Sequence, residues 1–209
     1  PLASVAALAL NATIGARAIR VRGIVDGGGE LDTRLAMDRR ALAIESADAR
    51  LGPLQLSASG DYTWRGQIEG AFDANADDLS ALAPIVAMAD ASLAGSAGLK
   101  GTLRGTIESL RGEGQLTARN VSAYGIAIGP VTARLRLDDS RAHIDGNAPD
   151  LEAHVVAAVD TTSPFSFDAA IDLDRSPLPA LLSAPQTEQL QAEGTIAAAL
   201  RARGDLARI

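Results

Sequence analysis

The chain has no cysteine, so disulfides and thiolate-ligated metals are excluded and the redox compartment is left open. It has two histidines, one tryptophan, two tyrosines and three phenylalanines among 209 residues. That is too few aromatics for the two girdles of a transmembrane barrel. No run of 18 apolar residues occurs, so no segment reads as a membrane-spanning helix. The net charge of −7 argues against a nucleic-acid footprint. The 19 Lys and Arg look scattered along the chain, with no run that would dock on anionic lipid.

Phosphate and nucleophile motifs are also missing. No G-x-x-x-x-G-K-[ST] occurs; Gly101 to Gly105 lacks the Lys-Ser/Thr ending. No G-x-S-x-G elbow exists. Gly27-Gly28-Gly29 reads as a turn before a strand from Glu30. His143-x-Asp145 has the types of metal ligands but no third ligand close by in sequence. The pairs Asp77-Asp78 and Asp138-Asp139 sit at an expected helix cap and strand end, where structural roles outweigh acid–base catalysis. The chain is not read as an enzyme, and no cofactor is expected.

What is present is alternation with period two, bounded by Gly, Asp, Asn and Pro. Leu31, Thr33, Leu35 and Met37 share one face, with Asp32, Arg34 and Asp38 on the other. Leu54, Leu56 and Ala58 alternate with Gln55, Ser57 and Ser59; Ile68, Gly70 and Phe72 alternate with Glu69 and Asp73. Val131 to Leu137 and Phe165 to Leu173 repeat the pattern. Such strands have one apolar and one wet face, as antiparallel meanders do. Two segments break the rhythm. Asp77 to Pro84 and Arg175 to Leu182 each start with a capping or Ser-Pro signal and predict a helical turn or two.

These two corners superpose on a shift of 99 residues. Asp61, Thr63, Ala71, Asp73, Leu79, Ala81 and Leu82 fall on Asp160, Thr162, Ala170, Asp172, Leu178, Ala180 and Leu181. Arg34, Leu35, Asp38 and Ile44 fall 100 residues before Arg134, Leu135, Asp138 and Ile144, and Gly95 and Gly105 fall on Gly194 and Gly204. A further two-residue shift lays Ile14-Gly-Ala-Arg17 over Leu116-Thr-Ala-Arg119 and Gly23 over Gly125. The reading is one continuous array: a unit over about residues 5–90, a second over about 91–187, and the start of a third at 188–209. Each unit holds about six strands. The abrupt start at Pro1 reads as an internal fragment of a longer chain.

The punctuation carries a resemblance. Leu103 to Gly112 reads Leu-x-Gly-x-Ile-x-x-Leu-x-Gly, Gly114 to Val121 reads Gly-x-Leu-x-Ala-x-Asn-Val, Gly125 to Ile128 reads Gly-Ile-x-Ile, and Ala76 to Ile85 forms the corner. This resembles the repeating region of the TamB group within the AsmA-like superfamily, inner-membrane-anchored components of the translocation and assembly module. The resemblance implies a β-taco: an all-β, mostly antiparallel sheet curled along its length into an apolar groove. It implies a periplasmic segment of a Gram-negative cell-envelope protein, conducting phospholipid between inner and outer membranes, with an outer-membrane barrel partner of the TamA type reached through other parts of the protein. An alternative within the same resemblance is a scaffold or chaperone for outer-membrane protein assembly, working through sheet-edge strand pairing.

A sheet with one apolar face needs a cover, and two helical corners are too little for about twelve strands. Two outcomes compete: the face closes on itself as a sandwich core, or gapes as a groove. Small residues on the inner parity, such as Ala58, Gly70, Ala118, Ala133, Ala153, Ala157 and Ala169, favour space. The candidate lining residues are Leu35, Met37, Leu54, Leu56, Ile68, Phe72, Leu116, Val131, Leu135, Leu137, Val155, Phe167 and Ile171; as individuals they read equally well as ordinary core. The glycines between Gly101 and Gly125 are expected to mark the seam between units and to supply bulges for curvature.

Overall fold

The computed structural model describes residues 8–14, 18–25, 29–37, 39–80, 93–106, 108–162, 165–177 and 194–205. These form a single antiparallel sheet of thirteen strands, whose order in space is their order in sequence. The strands are β1 (Leu8–Ile14), β2 (Ala18–Val25), β3 (Gly29–Met37), β4 (Ala41–Leu51), β5 (Leu54–Thr63), β6 (Ile68–Ala76), β7 (Leu93–Gly105), β8 (Leu110–Ala123), β9 (Ile126–Asp139), β10 (Arg141–Ala148), β11 (Ala153–Asp160), β12 (Ser166–Pro177) and β13 (Thr195–Asp205). Each substantial strand–strand contact joins sequence neighbours, as expected for a meander built of alternating strands. At roughly 4.8 Å per strand, the sheet runs on the order of 58 Å along its stacking direction.

The sheet is open and curled, and its ladders slip at one end of the strands. Register shifts occur between Ala94 and Ser96, between Ala118 and Val121, and between Leu173 and Ser176. The residues at these slips adopt positive φ: Gly95 at 117°, Asn120 at 52° and Arg175 at 54°. An extra residue in one strand bends it and raises its twist, so a crease crosses the sheet near the β8–β9 turn. A further slip lies in β4, where Leu35 pairs Ile44 while Arg34 pairs Ser46. It keeps Ile44 and Ala47 on one face despite their odd spacing.

The expected seam glycines divide into two groups. Gly105 and Gly125 have positive φ, but Gly101, Gly112 and Gly114 lie in regular ladder. They serve packing, not bending. A Cβ on Gly101 would stand 2.6 Å from Cζ of Phe72, and one on Gly112 would stand 2.6 Å from Cδ2 of Leu103. Phe72 and Gly101 are cross-strand partners, as are Leu103 and Gly112. The large side chain of each pair therefore lies over its glycine.

Of the two helical corners, the first is described only to Ser80. There the Asp78 carboxylate accepts from the Ser80 amide at 2.9 Å and from its hydroxyl, which is the expected acidic cap; residues 81–84 lie outside the described residues. At the second corner Ser176 and Pro177 belong to β12 and pair with Ile196 and Thr195, so the helix start expected at Ser-Pro is corrected to strand; the rest lies outside. Phe165, expected in the strand, precedes it with φ 54°. Gly29 opens β3; Gly27 and Gly28 lie outside the described residues. The one helical turn described is a 3-10 turn, Pro149–Leu151, between β10 and β11.

Elements six strands apart show parallel features. Gly105 pairs Ile68 in β6, and Gly204 pairs Phe167 in β12. Gly95 and Gly194 share positive φ, 117° and 131°. The Gly23 match differs: Gly23 lies within β2 opposite Leu31, while Gly125 forms the β8–β9 turn.

Candidate functional site

The register gathers the candidate lining residues on one face. One cross-strand row runs Leu35, Ile44, Gly60, Gly70, Leu103, Gly112, Leu137, Ala142, Val159, Phe167. The next runs Ala47, Ala58, Phe72, Gly101, Gly114, Leu135, Ile144, Ala157, Ala169. A third holds Leu56, Ala74, Leu99, Leu116, Ala133, Gly146, Val155 and Ile171. Met37, Leu54 and Ile68 share this parity at strand ends, and Val131 shares it within β9. The apolar face is thus continuous from β3 to β12.

Among the described residues no second layer covers this face. A sandwich core would fully bury its large side chains. Here the largest fully buried side chain is that of Ser176. Most lining candidates are half-buried, while Met37, Leu56 and Ile171 are exposed. The small residues Ala118, Ala133 and Ala153 are buried, whereas Ala58 is exposed. Large side chains lie over glycines at Phe72–Gly101 and Leu103–Gly112, while Leu99–Leu116, Leu135–Ile144 and Val159–Phe167 bring two large side chains together.

At the creased end, one cluster does close. Leu151, Ala148 and Ala153 are buried together against Ile128, Val131 and Leu173. The Ser176 hydroxyl donates to the Leu151 carbonyl, and the Asp174 amide to the Glu152 carbonyl at 3.0 Å. The 3-10 turn thereby folds onto the apolar face and narrows it there. The sequence signal was Pro149-Asp150, a proline at the first helical position, which the strand rhythm obscured.

The opposite face is charged and laced across strands. Lys100 and Asp73 lie opposite each other at 2.9 Å, Arg111 and Asp138 at 3.3 Å, and Arg203 and Asp168 at 2.8 Å. His154 reaches Asp145 at 2.9 Å across the β10–β11 ladder. Among the described residues there is no group of three or more metal-ligating side chains.

The Asp73 carboxyl is held below its usual range chiefly by the Lys100 hydrogen bond, and that of Asp139 by the Ser109 hydroxyl, with Arg111 adding to it. A lowered folded-state pKa contributes stability above the unfolded carboxylate value, about 3.9, and loses it as pH falls through the lower folded value. In an NMR pH titration, both carboxyls are expected to titrate below the usual aspartate value, and Asp73→Asn to flatten the acid limb of the stability curve.

No family model, curated protein or solved structure matches the chain. Among the described residues, no helix is long and apolar enough to cross a membrane.

Proposed function

We propose that the chain is a segment of a bridge-like envelope protein, and that its apolar face carries phospholipid acyl chains between inner and outer membranes. The carrying observation is the continuous, one-sided apolar face of β3–β12 with no covering layer among the described residues. Each methylene moved from water onto such a surface gains up to about 0.8 kcal/mol on full burial. A chain lying along the three rows meets Leu, Ile, Val, Phe, Ala and Gly and no charge. No nucleotide site and no bond-making chemistry enter this reading; direction of transport is imposed elsewhere. The periplasmic setting and a barrel partner of the TamA type rest on the resemblance in the repeat punctuation.

Photo-crosslinking tests the reading. Lipid adducts are expected from probes at Leu135 and Phe167 and not from Arg134 and Asp168, which occupy the charged face. Adducts of equal yield from both pairs would sink the groove. Native mass spectrometry after gentle purification separates the chaperone reading, since bound phospholipid favours the groove and bound peptide favours strand pairing at an edge.

A further inference from the structure

Basic residues that look scattered in the sequence meet at one rim of the groove. The β4–β5 hairpin returns the chain so that Ala41 pairs Thr63. One step beyond, the Trp64 amide donates to the Arg40 carbonyl at 3.1 Å. The β3–β4 turn, with Arg39 and Arg40, therefore lies beside the β5–β6 turn, with Trp64 and Arg65. All four are exposed. Arg39 and Arg65 form no ion pair with the described residues.

The only tryptophan of the chain is 51% exposed, in a protein with few aromatic rings to spend. It is not loose: the Tyr62 ring meets it edge-on, centroids 6.3 Å apart and planes at 87°. Tyr62 has the parity of the apolar face, as does Met37, itself 47% exposed. The end of the apolar lining, an anchored indole and two arginine-bearing turns therefore meet at one corner. The acidic groups nearest in sequence are Asp38, outside the described residues, and Asp61, which lies on the charged face. The matching corner 99 to 100 residues later carries Asp138, Asp139 and Ser140 with no tryptophan, so the composition is not something the turn geometry demands.

We infer that this corner is a headgroup seat for an anionic phospholipid whose tails lie on the apolar face. The inference rests on the acyl-groove reading and adds the polar end of the ligand. A guanidinium fork matches two phosphate oxygens. An indole favours the boundary where hydrocarbon gives way to polar headgroup. Arg39 and Arg65 hold the phosphate, and Trp64 covers the glycerol and first methylenes.

Delipidated protein is offered phosphatidylglycerol and diacylglycerol with identical tails, each with a fluorescent acyl chain. Wild-type protein is expected to take up the phosphatidylglycerol about tenfold better, a difference on the scale of one good ionic contact. Arg39→Gln with Arg65→Gln brings phosphatidylglycerol down to the diacylglycerol level and leaves diacylglycerol unchanged. That second lipid also reports that the variant is folded. Unchanged preference in the double variant overturns the headgroup seat and leaves the groove standing. Failure of wild-type protein to take up either lipid overturns both. Inorganic phosphate that binds wild-type protein and not the double variant, with phosphatidylglycerol uptake equal in the two, assigns the corner to a free anion and overturns the lipid assignment.

Discussion

Gly105→Ala is expected to destabilise the β7–β8 hairpin by about 3 kcal/mol, some two powers of ten in its opening equilibrium. Gly105 has φ 130°, and a Cβ there would stand 2.1 Å from the Ser109 carbonyl oxygen. That oxygen cannot retreat freely. It accepts from the Thr106 amide at 3.0 Å, while the Ser109 amide returns to the Thr106 carbonyl at 3.2 Å. The alanine therefore meets both backbone strain and a closed turn. Gly194 separates the two effects. Its φ is 131°, yet no described atom lies within 4 Å of its Cβ position, so Gly194→Ala is expected to report strain, about 1–2 kcal/mol. Amide exchange in β7–β8 and β12–β13 measures both. Equal losses at the two sites would show that the clash is relieved at no cost.

Leu135→Asp is expected to lower bound lipid by about a hundredfold while leaving the sheet intact. Leu135 stands mid-groove, with Gly114 on one side and Ile144 on the other. It is half-buried, so a carboxylate placed there stays hydrated in the empty protein. An acyl chain crossing it must strip that water, which costs several kcal/mol for an unpaired charge. Arg134→Asp alters charge on the opposite face and serves as the control. Lipid content by mass spectrometry, with circular dichroism for strand content, decides the matter. Undiminished loading of Leu135→Asp would mean that lipid does not travel along this face.

Both variants depend on features of unequal visibility in the sequence. The alternation Leu31 to Met37, Leu54 to Ala58 and Val131 to Leu137 revealed strands and their two faces, because side chains in a strand point alternately and only one face is apolar. Register was not visible. Nothing in Phe72 or Gly101 announces that the two are partners, so their complementarity emerges only when β6 meets β7. Seen in the sequence, Gly101, Gly112 and Gly114 suggested bends; paired, they are seats for large neighbours. The 3-10 turn at Pro149 and the strand character of Ser176-Pro177 were missed for a similar reason. Local turn signals name a break in the strand, but tertiary pairing decides where the strand resumes. The Trp64 corner was invisible because its arginines lie about 25 residues apart in sequence and are brought together only by the β4–β5 hairpin.

Because strand order in space equals strand order in sequence, no strand pairing among the described residues joins distant parts of the chain. Among the described residues each strand pairs only with its two neighbours, and the one tie beyond them is the 3-10 turn at Leu151, which packs against both β9 and β12. A pull applied across the strands at the two ends of the stack loads the ladders in series, like rungs of a rope, and the first to open relieves the rest. Mechanical damage is therefore local and self-limiting, and a torn hairpin needs only its flanking strands as a template to re-form. The same arrangement lets hairpins be added or removed in pairs without disturbing any existing register, so the reach of such a sheet is set by how many hairpins are strung together.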